Sequence, residues 1–167
     1  MPQGAFNLTV MTTITCPTPD YDPSAPLMTV ADVLDRVGSC IDQQSRTGRS
    51  LWIMFVDPDG VQLPVLVPID GVPERPEPHE ARAVCQVIAH VLNDAAPGGS
   101  AVISLTRPGS GKVLESDRHW ASTMHEAAAD GGAALRLVCL ATRDGIRQLG
   151  PGSDGGNAEQ NDQRIPR

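Results

Sequence analysis

The sequence predicts one α/β domain of the α+β kind, a single mixed β-sheet flanked by about three helices. Apolar residues recur at helical spacing over 30–41 and 81–92. Short β-prone apolar runs occupy 51–56, 101–105 and 135–142. Between them stand turn signals rich in Gly, Pro and Asp. A chain of 167 residues fits one such domain. Residues 1–26 mix Thr, Pro and Asp without a sustained period and read as a disordered arm. Residues 150–167 read as a disordered polar tail, which leaves 27–149 as the folded unit.

Taken in order, Thr29 followed by Asp32 resembles a capping box, and Val30, Val33, Leu34, Val37 and Ile41 continue a helix to about Ser45. Leu51–Val56 is too short and too β-prone to be a helix. The run Asp57-Pro58-Asp59-Gly60 turns the chain, because proline presets φ and glycine accepts a positive one. Val61–Ile69 returns as the second strand of a hairpin. Pro64 and Pro68 cannot donate to a ladder, so this strand belongs at an edge or carries a bulge.

A proline-rich link over 71–78 leads to a helix over about 79–93 with Ala81, Val84, Cys85, Ile88, Val91 and Leu92 on one face. Ala101–Leu105 is a third strand and 107–112 a loop. Ser116 or Asp117 then caps a helix carrying Trp120, Met124, Ala127 and Ala128, which Gly131-Gly132 closes. Leu135–Thr142 is a fourth strand, Asp144-Gly145 marks a tight hairpin, and Ile146–Leu149 adds a fifth. The order is α-β-β-α-β-α-β-β.

Composition narrows the functions. Aromatic residues make up only 3% of the chain, so the core must be built from Val, Leu, Ile and Ala. One lysine, Lys112, stands against twelve arginines, a bias of GC-rich bacterial coding sequence more than of function. The net charge of −7 with no basic cluster argues against nucleic acid, whose phosphates are neutralised by Lys and Arg, and against anionic membranes. No apolar run is long enough to span a bilayer. Cys16, Cys40, Cys85 and Cys139 are far apart with no CxxC pair, which points to reduced thiols in a cytoplasmic protein.

No complete catalytic or metal-binding set stands in the sequence, and no cofactor is expected. His119 and His125 lie about 240° apart around one helix. His79 and His90 sit on a polar face. The Gly109-Ser110-Gly111-Lys112 turn lacks the Walker A spacing, since Thr106 holds the place of its first glycine. A glycine-rich turn before a helix still offers amides and a dipole to an anion, with charge from Arg107 and Lys112. Ser104, Ser110 and Ser116 are surrounded by no nucleophile elbow.

The segment Ala101-Val-Ile-Ser-Leu-Thr-Arg-Pro-Gly-Ser-Gly-Lys-Val-Leu-Glu-Ser-Asp117, within this element order, resembles the RadC-type JAB/MPN metalloprotease-like domains. In that family a buried strand runs into His-x-His-Pro-x-Gly, and a Ser-x-x-Asp opens the next helix. The two histidines and the aspartate hold zinc. The resemblance covers roughly 51–149. Pro108 and Asp117 match, but Leu105 and Arg107 stand where the histidines belong, Leu114 stands at the serine, and the loop is one residue shorter. The resemblance therefore implies a domain without the family's zinc chemistry.

Three functions are compatible with these residues. The first is a non-catalytic interaction domain that binds a protein partner or itself through a sheet edge or the 107–112 loop. The second is a hydrolase using Asp117, His119 and Glu115 at the helix start. The third is a small-anion or nucleotide binder using Arg107, Gly109, Ser110, Gly111 and Lys112.

Overall fold

A computed structural model describes residues 7–8 and 22–150. It contains a single mixed sheet and three helices in the expected order, preceded by one two-residue strand. The elements are β1 (Asn7–Leu8), α1 (Val30–Cys40), β2 (Ser50–Val56), β3 (Gln62–Asp70), α2 (Pro78–Ala95), β4 (Ser100–Thr106), α3 (Glu115–Gly131), β5 (Leu135–Thr142) and β6 (Gly145–Leu149). The strands lie side by side as β1-β3-β2-β4-β5-β6. Only β4 and β5 run parallel, joined by the crossover through α3, and every other neighbouring pair is antiparallel. The arm and tail expected at the two ends fall outside the described residues, apart from Asn7–Leu8, 22–26 and Gly150.

Strand alternation sorts the side chains into two cores. Leu51, Ile53 and Phe55 of β2, Ala101, Ile103 and Leu105 of β4, and Val138 and Leu140 of β5 point toward α2 and α3. Met54, Val56, Val102, Leu137 and Cys139 point the other way, toward Val33, Val37 and Ile41 of α1. The central strands are buried on both faces, which is why their sequences read as continuous apolar runs. Trp120 and Met124 of α3 are enclosed by the larger core, and the Trp120 indole N–H donates to the Pro73 carbonyl at 3.0 Å.

Local rules account for most boundaries. Thr29 and Asp32 form the reciprocal capping box of α1, with Thr29 N–H donating to Asp32 at 2.8 Å and Asp32 N–H donating to Thr29 Oγ1 at 3.1 Å. Asp57 fixes the β2–β3 turn by accepting from the Asp59 and Val61 amides, and Gly60 takes φ +86° there. β3 lies at the edge but for the short β1, and its ladder with β2 is bulged between Met54 and Val56, as its prolines require.

Two boundaries differ from the sequence reading. α1 stops at Cys40, not near Ser45, because Arg46 folds back and donates to the Gly38, Ile41 and Thr142 carbonyls. These bonds satisfy the last turn and stitch α1 to the end of β5. α3 begins at Glu115 after the N-cap Leu114, so Ser116 and Asp117 lie inside its first turn and neither is the N-cap residue, although Asp117 reaches back to accept the Leu114 amide.

The turn before β4 brings two backbones together. A Cβ at Gly99 would collide with the Val56 carbonyl and lie 2.9 Å from that of Ala96, whereas one at Gly48 would meet nothing within 4 Å. Gly99→Ala is expected to lower the unfolding free energy by about 1–3 kcal/mol, as overpacking does. Gly48→Ala is expected to stay within about 0.5 kcal/mol of the parent. Urea unfolding of the two variants checks the contrast, and equal stabilities would contradict this packing.

Burial pushes the Cys85 thiol up to about 11 and the Cys139 thiol up to about 12, although the Ser104 hydroxyl at 3.2 Å from Cys139 acts in the opposite sense. Both should resist iodoacetamide in the folded protein and react once urea is added, while half-buried Cys40 reacts first of the three. The unfolded chain loses these protons near 9, before the folded one does. The stability they contribute is therefore present below pH 9 and lost as pH rises toward 11 and 12. Thiol mass labelling across pH 7–10 reads the order of reaction, and early labelling of Cys139 would contradict its burial.

Candidate functional site

The candidate site lies where β4 ends, the 107–112 turn follows and α3 begins. Arg107 is the first residue past β4 and Asp117 is the third of α3, two positions brought together by the crossover. Both side chains are buried, at 3% and 0% exposure. The guanidinium grips the carboxylate in a two-pronged pair, Nε to Oδ1 at 2.8 Å and Nη2 to Oδ2 at 2.7 Å. The remaining N–H groups donate to the Pro108, Ser110 and Lys112 carbonyls at 3.2, 3.0 and 2.8 Å. An arginine carries five N–H donors, and here each has an acceptor within the chain.

Asp117 serves a second purpose. Its Oδ2 accepts the Leu114 amide at 2.8 Å, which satisfies a donor at the start of α3 and places negative charge at the positive end of the helix. The outer side of the turn is held by Asp144, whose Oδ2 accepts the Gly111 amide at 2.7 Å. The approach is close: a Cβ at Gly111 would lie 3.2 Å from Asp144 and 3.3 Å from the Thr142 hydroxyl, so those side chains would have to shift by a few tenths of an ångström.

This geometry places the expected residues differently from the anion-binding reading. Arg107 points inward and has no N–H left for a ligand, the Gly111 amide already holds a carboxylate, and the turn directs three carbonyls toward its interior. Gly109, Ser110 and Lys112 remain exposed. The hydrolase residues do not converge either. Glu115 is exposed and pairs loosely with Arg75 at 3.3 Å. The exposed His119 turns toward the Pro76 carbonyl, 3.3 Å from its Nε2, while Asp117 is sealed behind the turn. Ser116 is buried beside Asp117, and Ser104 faces Cys139 in the smaller core.

A zinc ion of the kind held by the family that the segment resembles does not fit these residues. Leu105 is fully buried hydrocarbon, Arg107 brings a positive charge, and both Asp117 oxygens are committed to N–H donors. A catalytic zinc needs three protein ligands and an open position. Among the described residues no group of three or more His, Cys, Asp or Glu could hold a metal ion.

Sequence reasoning did not foresee the partnership of Arg107 with Asp117. The signal was an arginine at a strand's end, ten residues before an aspartate in the first turn of the next helix. It also missed a groove of about 190 Å³ along the α2–α3 seam, lined by Pro76, Arg82, His119, Thr123, Glu126 and Asp130 among others. Nothing in the spacing of those surface residues marked it.

Compared with known proteins, the chain matches no family model and no curated protein.

Breaking one half of the pair leaves an uncompensated buried charge. Asp117→Asn and Arg107→Leu are each expected to cost about 3–5 kcal/mol, and the double Arg107→Leu/Asp117→Leu variant less than the sum of its parts. Denaturant unfolding of the double-mutant cycle measures this coupling. Additive losses would mean that the two side chains act independently.

Proposed function

We propose that this chain is a non-catalytic interaction domain, cytoplasmic, on a scaffold that resembles the RadC-type JAB/MPN domains. The observation that carries the reading is the Arg107–Asp117 pair, at the position where the resemblance would put the metal. Carried over residue by residue, Asp117 is the matching zinc ligand and Arg107 stands at a lost histidine. The side chain at that histidine position thus supplies the cation that the aspartate would otherwise take from solution. Replacement by an internal ion keeps the loop shaped and removes the open coordination position that chemistry needs.

The interaction half of the proposal is supported by what the pair holds outward. Pro108, Gly109, Ser110, Lys112 and Leu114 are exposed on the turn and the start of α3, and Leu114, at 43% exposure, is one of the few large apolar side chains open to solvent. A fixed turn loses little conformational freedom when a partner covers it. A cytoplasmic location suits the buried thiols Cys85 and Cys139. Among the described residues no helix is long and apolar enough to cross a membrane.

Elemental analysis of protein purified without a metal-affinity tag should find no stoichiometric zinc, and added zinc should not raise the melting temperature. Stoichiometric zinc would overturn the proposal and return Asp117 to a metal-binding role. In the binding arm, chemical cross-linking should identify a partner, or a second copy, that is lost in Leu114→Asp/Lys112→Glu and retained in Arg82→Glu on α2. Binding that ignores the turn substitutions would remove this surface from the proposal.

A further inference from the structure

We propose that the 108–112 turn and Asp117 form an oxygen-lined receptor for a guanidinium ion, and that Arg107 is its tethered ligand. The inference concerns the chemistry of the cavity and stands whether or not the domain has a partner.

The geometry is that of a receptor closed around a guest. Five oxygen atoms from four residues meet the five N–H groups of one guanidinium: the Pro108, Ser110 and Lys112 carbonyls and both Asp117 oxygens, at 2.7–3.2 Å. The carbonyls of alternate residues 108, 110 and 112 turn toward one point, where their dipoles favour a cation. The walls also have supports that do not involve Arg107. Asp144 holds the Gly111 amide from outside the turn, and the Leu114 amide fixes the Asp117 carboxylate. The cavity should therefore persist when the arginine side chain is cut away.

Charge and shape select the guest. The receptor carries one formal negative charge, which matches a monovalent cation. A divalent ion would remain half compensated in a site with 0–3% exposure. Acceptors disposed around a planar group, two of them on one carboxylate edge, suit the fork of a guanidinium better than the three rotating donors of an ammonium. Lysine at 107 should accordingly be a poor replacement, despite its charge.

Arg107→Ala is the test variant, with free guanidinium chloride at low millimolar concentration as the probe. The melting temperature of Arg107→Ala should rise by several degrees and saturate as the ion fills the cavity, since a ligand that binds only the folded state stabilises it. The parent, already filled, should show no rise, and sodium chloride at equal ionic strength should not reproduce the effect. Arg107→Ala/Asp117→Asn should lose the response, and Arg107→Lys should melt well below the parent. Should Arg107→Ala fail to fold, refolding with methylguanidinium should restore its circular dichroism spectrum. A folded Arg107→Ala protein that responds to guanidinium as the parent does would overturn the inference. Stabilisation by micromolar zinc in place of guanidinium would overturn it too, and so would a failure of methylguanidinium to recover an unfolded variant.

Discussion

Everything at the C-terminal end of β4 depends on one buried ion pair. Removing a guanidinium and a carboxylate from water costs several kcal/mol per ion, on the order of what a whole domain has to spare. Attraction between the two offsets that cost only when every remaining donor and lone pair is satisfied as well. Here the turn supplies the missing acceptors, which is why three of its carbonyls face inward and why Gly109 adopts φ +96°. The start of α3 supplies the missing donor through the Leu114 amide. The pair thus ties the turn to the first turn of the helix, beside the supports that Asp144 gives the Gly111 amide and Asp117 gives the Leu114 amide.

The same solution recurs elsewhere in the molecule. Arg36, 8% exposed, donates to the Gln62 side chain and to the Asp22 and Ala25 carbonyls, tying the segment before α1 onto the domain. Arg46, 6% exposed, caps the last turn of α1 and reaches the end of β5. A chain with twelve arginines and one lysine has few cations other than guanidinium to use for this purpose. A delocalised, weakly hydrated fork is also the cation that loses least on burial among carbonyls. A coding bias that says nothing about function has therefore left a physical signature in how the irregular segments are held.

The regular elements were legible because they depend on short-range pattern. Leu51–Val56 and Leu135–Thr142 read as β-prone apolar strands, and both are strands. Thr29 with Asp32, the Asp57–Gly60 turn and the Gly131-Gly132 stop each follow from two or three neighbouring residues. The failures were long-range. α1 ends at Cys40 where Asp42 accepts the Ser45 amide and Arg46 folds back onto the Gly38 and Ile41 carbonyls while also reaching Thr142 of β5. Arg107 in a glycine-rich turn looked like a surface charge ready for an anion, because its acceptors lie inside the turn and its counter-ion ten residues ahead, beyond the reach of any periodic pattern. The α2–α3 groove left no mark for a simpler reason. Its lining residues are ordinary polar side chains whose only shared property is their place in space.

A fold of this kind does not choose between chemistry and binding, since the same sheet and helices can carry either. What chooses is whether the site keeps a vacancy. A metal centre needs ligands held apart around an empty position, and in such a site the polypeptide stays under tension from its own unsatisfied charges. In this chain the Arg107 guanidinium satisfies the Asp117 carboxylate from within, so no open position is left beside it. The guanidinium's other bonds fix the backbone beneath the loop's outer surface. Pro108, Ser110 and Lys112 are presented by a backbone whose carbonyls are anchored from inside, which lowers the conformational freedom that any contact with this surface would have to remove.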